Sequence, residues 1–150
     1  MTKVLFICHG NICRSPMAEF VMKDLVAKAG LSDKFEIASA ATSTEEIGND
    51  IYPPAQAEMK RRGVAFGRHY AVQVKSSDYD KYDLFVIMDD NNARNISRIF
   101  RRDDEHKIHK LLEFAGRSDD VSDPWYTRRF DIAFDDIYSG CVGLFEKVSK

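Results

Sequence analysis

The chain has 150 residues, 44% hydrophobic and 31% charged, enough to bury a substantial apolar core in one domain without disulfides or metal. No apolar stretch approaches the roughly 20 residues needed to span a bilayer. Twenty-two basic against 24 acidic side chains leave a formal charge of -2 and no general field for gripping nucleic acid, so any anion must be bound locally.

A single lysine and a short apolar run open the chain, with no longer h-region and no small-residue cleavage site, which reads as a buried strand rather than a signal peptide. Cys8, Cys13 and Cys141 are an odd and small set, without the paired spacing of a zinc site. Both features fit a reducing, cytoplasmic setting.

Val4 to Ile7 is predicted as a strand buried on both faces. A helical stripe follows at Ala18, Val21, Met22, Leu25 and Ala29, with Ser15 as N-cap, Pro16 at the first helical position and Gly30 as terminator. Phe35 to Ala38 reads as a second strand, Pro54 to Arg62 as a helix stopped by Gly63, and Leu84 to Met88 as a third strand. A helix is expected from about Asn91 to Phe100, capped from "MDDNN". Ile108 to Leu112 reads as a fourth strand or a helical turn, and Ala133, Ile137, Cys141, Leu144 and Val148 mark a long final helix. The alternation predicts one α/β domain over residues 1–150, three layers deep, with a central parallel sheet of about four strands.

The chemistry concentrates in "CHGNICRSP", residues 8 to 16, between the first strand and the first helix. In open parallel sheets ligands sit beyond the carboxyl ends of the strands. Successive backbone N-H groups in such a turn converge into an anion nest, to which the helix adds its positive end. Arg14 supplies a planar fork for two phosphoryl oxygens, Gly10 permits a positive φ or a close backbone approach, and Asn11 tolerates the left-handed region. Helix N-termini and neighbouring cations lower a thiol from about 8.5 to about 3.5–7.5. Cys8 is therefore expected to act as a nucleophile at neutral pH, attacking phosphorus to give a phosphocysteine. In "SDDVSDPWY", Asp123 is the candidate general acid, stiffened by Pro124, with Trp125 and Tyr126 as a wall for an aromatic ring. "HKIH" lacks the cysteine or further histidine that would complete a metal site around His106 and His109.

With "VLFICHGNICRSPMAE" and "DPWY" placed, the chain resembles the low-molecular-weight protein tyrosine phosphatases nearly end to end, through "SAATSTEEIGN", "GVAFGRHYAVQ" and "YDLFVIMDDNN". The resemblance implies a phosphatase I-like fold and metal-independent, cofactor-free hydrolysis of phosphotyrosine in proteins, releasing inorganic phosphate. It gives Cys8 as nucleophile, Arg14 as phosphoryl binder and Asp123 as acid and then base, with His9, Gly10, Ile12 and Cys13 completing the loop. Asn11, Ser39 and His69 would hold that loop in shape, and the Ser15 hydroxyl would stabilise the cysteine thiolate as leaving group. Asp89 is placed near the cleft, Cys13 matches the family's backup cysteine for reversible oxidation, and Cys141 reads as structural. Neither nucleic acid nor membrane is an expected partner, and the expected assembly is a monomer or weak homodimer.

Two departures bear on substrate choice: Glu45 stands where an aromatic rim residue is usual, and Val72 where an arginine is frequent. An acidic rim disfavours acidic phosphopeptides, so a non-acidic flank is expected. Arsenate reduction on the same fold needs a downstream cysteine pair that is missing, and a non-catalytic phosphate-binding module would not need Cys8 and Asp123. Protein arginine phosphatases tend to carry threonine at the position of Ile12, whose apolar side chain suits an aryl ester.

Overall fold

In a computed structural model describing residues 1–150, the apolar run becomes β1 (Thr2–Cys8), buried on both faces from Val4 onward. Val4, Phe6 and Cys8 enter one core and Leu5 and Ile7 the other, the two-residue period of a strand. Such a strand needs parallel neighbours under helical cover. It lies between β2 (Phe35–Ala41) and β3 (Leu84–Ile87), and β4 (Ile108–Lys110) continues the sheet beyond β3. The order β2-β1-β3-β4, parallel throughout, makes β1 an interior strand.

The larger core lies between the sheet and three helices, α1 (Arg14–Lys28), α2 (Pro53–Arg61) and, in the second half of the chain, a long helix from Phe130 to Val148. On the opposite face, α3 (Asp90–Phe100) and the turn carrying Tyr79 cover Leu5, Ile7, Phe85 and Ile87. A short α4 (Pro124–Thr127) precedes the long helix, which is α5. This is the three-layer α/β/α arrangement expected from the alternation of elements.

Three details of α1 differ from the sequence reading. Cys13, not Ser15, occupies the N-cap and makes no side-chain capping bond. Ser15 is the second helical residue, with its hydroxyl turned toward Cys8, and Pro16 is the third, where its missing N-H is still among the four that no helical carbonyl would accept. At the other end Ala29 is an exposed C-cap and Val26 takes its place in the core. Gly30, at φ 72°, closes a Schellman turn in which its N-H reaches the Ala27 carbonyl (3.0 Å) and that of Leu31 reaches Val26 (2.8 Å).

"HKIHKLLEF" divides between both alternatives: β4 is followed at once by a 3-10 turn, Leu111–Ala115. Helix α5 lies so closely on this turn that a Cβ at Gly143 would collide with the Phe114 carbonyl. The turn leads into the segment that carries Asp123.

Candidate active site

Residues 8–13 leave the carboxyl end of β1 and return as α1, and their peptide groups are strongly polarised in direction. The carbonyls of Cys8 and His9 accept from Thr42 and Ser43, that of Ile12 from Tyr52, and that of Cys13 from Met17. The N-H groups of Gly10, Ile12 and Cys13 take no acceptor within the chain. With the carbonyls drawn off to the surrounding fold, the donors are left to the cleft, an anion nest built from main chain alone.

Asn11 makes this geometry possible. It is fully buried at φ 60°, so the left-handed residue of the loop is Asn11 and not Gly10. Its side chain tolerates that region because local hydrogen bonds compensate. The Asn11 amide donates to Ser15 Oγ (2.8 Å) and Ser39 Oγ (2.9 Å), and its Oδ1 accepts from the Val72 N-H (3.1 Å). Its own carbonyl accepts from His69 Nε2 (2.7 Å), which fixes the proton on that nitrogen because a carbonyl cannot donate. Gly10 needs neither special conformation: a Cβ there would make ordinary contact with Glu46 at 3.5 Å.

The same polarity reaches the thiol. Asn11 N-H points to Cys8 Sγ at 3.3 Å and Ser15 Oγ lies 3.0 Å from it. Ser15 Oγ already accepts from Asn11, so its own hydrogen is directed at the sulfur. Ser39 in turn donates to Glu19 Oε1 at 2.6 Å, and Lys23 holds the other Glu19 oxygen. Glu19 was not singled out from the sequence, although a carboxylate four residues after Ser15, on the same helical face, was a readable signal.

Arg14 is buried beside this network, with a side chain only 3% exposed. Its Nη1 donates to Asp89 Oδ2 (2.7 Å) and to the Val121 carbonyl (2.8 Å). Burial works against its charge, but Cys8, Asp123 and Asp89 together hold the guanidinium more basic than usual. The Nε and Nη2 edge makes no hydrogen bond within the chain, its one ion-pair partner being Asp123 at 3.4 Å from Nη2, and so can present two parallel donors to an anion. Asp89 also caps α3 through the Asn92 N-H, so the "MDDNN" stretch serves the helix and the arginine at once.

Asp123 is the N-cap of α4: Oδ1 accepts from the Trp125 N-H (3.0 Å), leaving Oδ2 on the Arg14 side. The cleft is walled by Trp125, half-exposed and 4.9 Å from the Tyr52 ring, and by the exposed Tyr126. Glu45 and Glu46 form the facing rim, where Glu45 pairs with His9 Nε2 at 2.9 Å. Ile12 and Cys13 line the floor, whereas Ser15, Ser39, Asn11 and His69 lie behind it and Cys141 is fully buried in the larger core, outside the cleft lining. Burial, reinforced by Cys8 and Asp123, pushes the Cys13 thiol well up, and burial alone does so for Cys141. No helix is long and apolar enough to cross a membrane.

A family model described as "Low molecular weight phosphotyrosine protein phosphatase" matches residues 3–150. The chain is 38% identical over 152 residues to the low molecular weight protein-tyrosine-phosphatase YfkJ of Bacillus subtilis, covering all of this chain and 97% of that one. The YfkJ crystal structure superposes with a TM-score of 0.95 at 37% identity, over 99% of this chain and 95% of the other. The human low molecular weight phosphotyrosine protein phosphatase is 37% identical over 145 residues, 93% of this chain and 88% of its own length. The fold is also similar to that of a Drosophila arginine phosphatase, at a TM-score of 0.88 and 27% identity, over 99% of each chain.

Proposed function

The chain belongs to the low molecular weight phosphotyrosine protein phosphatase family, and from that premise we propose that it hydrolyses phosphotyrosine in proteins with Cys8, Arg14 and Asp123 as its catalytic residues. The observation that carries the assignment of roles is the convergence on one cleft of Cys8 Sγ, the unpaired N-H groups of the loop and the free edge of Arg14, with Asp123 Oδ2 beside them. The phosphoryl oxygens sit in the nest against Arg14, which places phosphorus in front of the sulfur. The Cys8 thiolate attacks, the S-P bond forms as the aryl O-P bond breaks, and the leaving phenolate takes the proton from Asp123. Asp123, now ionised, takes a proton from water as that water attacks phosphorus. The S-P bond breaks, inorganic phosphate leaves, and the Ser15 hydroxyl receives the returning thiolate.

The acidic rim refines the substrate. Trp125 and Tyr126 accept a ring on one side, while Glu45 and Glu46 on the other repel an acidic flank, so the preferred target is phosphotyrosine in a non-acidic context. Ile12 on the cleft floor presents no hydroxyl to a phosphoguanidinium, which favours the aryl ester over phosphoarginine. The two cleft cysteines, Cys8 and Cys13, form a disulfide on oxidation that protects the nucleophile, and all three thiols are free, as suits a cytoplasmic enzyme.

The deciding experiment measures hydrolysis of p-nitrophenyl phosphate and of phosphotyrosine, phosphoarginine and phosphoserine peptides, with EDTA present. Cys8→Ser is expected to abolish turnover, and Asp123→Ala to cost far more on phosphotyrosine than on the activated nitrophenyl ester. Full activity in Cys8→Ser, or a preference for phosphoarginine, would overturn the reading.

A further inference from the structure

Lys110, the last residue of β4, repeats on the outside of the site what Arg14 does within it. Its ammonium lies 3.0 Å from Asp90 Oδ1, 2.7 Å from Asp120 Oδ1 and 3.0 Å from the Ser118 carbonyl, with the side chain 22% exposed. Asp90 directly follows Asp89, and Asp120 directly precedes Val121, so Lys110 clasps the residues next to both acceptors of Arg14 Nη1. The loop from Gly116 to Asp120 is exposed and has no regular secondary structure. Beyond it, Val121 is buried, with its N-H on the Met88 carbonyl, and Asp123 lies two residues on. Arg117 ties the outer loop to α5 through Asp136, but its other partner, Asp119, belongs to the loop itself. Lys110 is therefore the side chain that fastens the outer loop to the sheet.

We propose that Lys110 is a positioning residue for Asp123: by holding Ser118 and Asp120 against Asp90, it sets the path of the loop and thereby the place of the Asp123 carboxyl at the leaving group. The inference rests on the acid role proposed for Asp123. An isolated surface ion pair contributes little to stability, and here the contribution is to geometry, since a misplaced acid loses proton transfer while the nest and Cys8 remain intact.

The test compares Lys110→Met, Lys110→Arg, Asp123→Asn and Lys110→Met/Asp123→Asn by kcat/KM, which reads the steps through phosphoenzyme formation, on phenyl phosphate and on p-nitrophenyl phosphate. Proper acid placement is worth about 10²–10⁴ in rate, so Lys110→Met is expected to lose about tenfold on phenyl phosphate and stay within about twofold on the nitrophenyl ester. Lys110→Arg, which keeps the charge, is expected to recover most of the loss. In the Asp123→Asn background, Lys110→Met is expected to cost nothing further. An equal loss on both esters, no loss on either, or an undiminished cost in the Asp123→Asn background would overturn the role of Lys110. If Asp123→Asn itself shows no dependence on the leaving group, the acid assignment fails first and this inference with it. Circular dichroism and melting of Lys110→Met and Asp120→Asn separate misfolding from misplacement, because a folded Asp120→Asn should show the same leaving-group dependence more weakly.

Discussion

Arg14 and Asp89 meet at 2.7 Å behind the loop of residues 8–13, and this contact divides the guanidinium into an occupied half and a free half. Nη1 is committed to Asp89 and Val121, so in the proposed role only the Nε and Nη2 edge remains for the phosphoryl group. Lysine can replace the charge but cannot hold structure with one nitrogen while presenting two donors with the others. Arg14→Lys is therefore expected to lower kcat/KM on p-nitrophenyl phosphate by about 10²–10³, the scale of losing a fixed donor to transition-state charge. Steady-state kinetics of the folded variant checks this, and a loss below about tenfold would mean that charge alone suffices.

Ser15 acts on the sulfur, so its removal should be felt most where sulfur is the leaving group. A hydrogen bond to a charged partner is worth about 1.5–3 kcal/mol, and Ser15→Ala is expected to slow breakdown of the phosphoenzyme accordingly. In rapid mixing with p-nitrophenyl phosphate, a burst of nitrophenolate ahead of a lowered steady rate is the expected signature. A fall in kcat/KM as large as that in kcat would place Ser15 in the first step instead.

Cys13 is held protonated by burial first and by Cys8 second. In the proposed disulfide, peroxide oxidises Cys8 to a sulfenic acid, which lessens one of the influences on Cys13 while burial persists; the Cys13 sulfur then displaces water from the Cys8 sulfur to close the S–S bond. Peroxide-treated wild type should regain activity with dithiothreitol, and Cys13→Ser should not. Equal recovery in both would exclude the pairing.

Asp50 supports the site from behind. Its carboxylate accepts the Ile51 N-H (2.7 Å) and the His69 N-H (3.0 Å), and the first of these chiefly holds it below its ordinary value of 3.8. A depressed folded pKa contributes stability that is complete above the unfolded value and is lost as pH falls through the folded one. Asp50→Ala should thus be less stable than wild type at neutral pH, with the margin closing as both are acidified below about pH 4. Thermal melts from neutral pH downward check it, and a margin that widens below about pH 4 would reverse the expected sign.

Gly143 opposes two effects. Alanine favours a helix interior by about 0.5–1 kcal/mol, yet its Cβ would meet the Phe114 carbonyl, and backbone yields less readily than a side chain. Overpacking typically costs about 1–3 kcal/mol, so Gly143→Ala is expected to be destabilised on balance. Denaturant melts should show a lower midpoint at unchanged slope.

Legibility from sequence followed the range of the interactions. β1, α1 and the long final helix could be read because each is announced by its own residues: an apolar run, a stripe at helical spacing, a glycine at the end. Cys8 and Arg14 were legible for the same reason, since the loop that joins them is contiguous. Ser15 was misassigned as a cap because its better partner, Cys8, lies across the loop, and a side chain in contact with the sulfur cannot also turn back on its own helix. Asp50 and Lys110 escaped because each acts on a residue brought near only by the tertiary fold, His69 and Asp120, and for Glu19 the spacing from Ser15 was readable but its partner Ser39 was not. Gly10 and Asn11 shared the conformational argument in the sequence, and the structure gives it to Asn11, whose hydrogen bonds to Ser39, Val72 and His69 are likewise invisible in local sequence.

The interior position of β1 has a consequence for how the enzyme comes into being. The strand that ends at Cys8 is made before its partner Leu84–Ile87, which lies far downstream, and the Val121 carbonyl on Arg14 lies farther still. Such distant pairings form late, since long loops must close before they contribute. During synthesis or refolding Cys8 and its loop therefore precede the contacts that fix Arg14 beside them, and recovery of phosphatase activity is expected to follow the closing of those last contacts rather than collapse of the core.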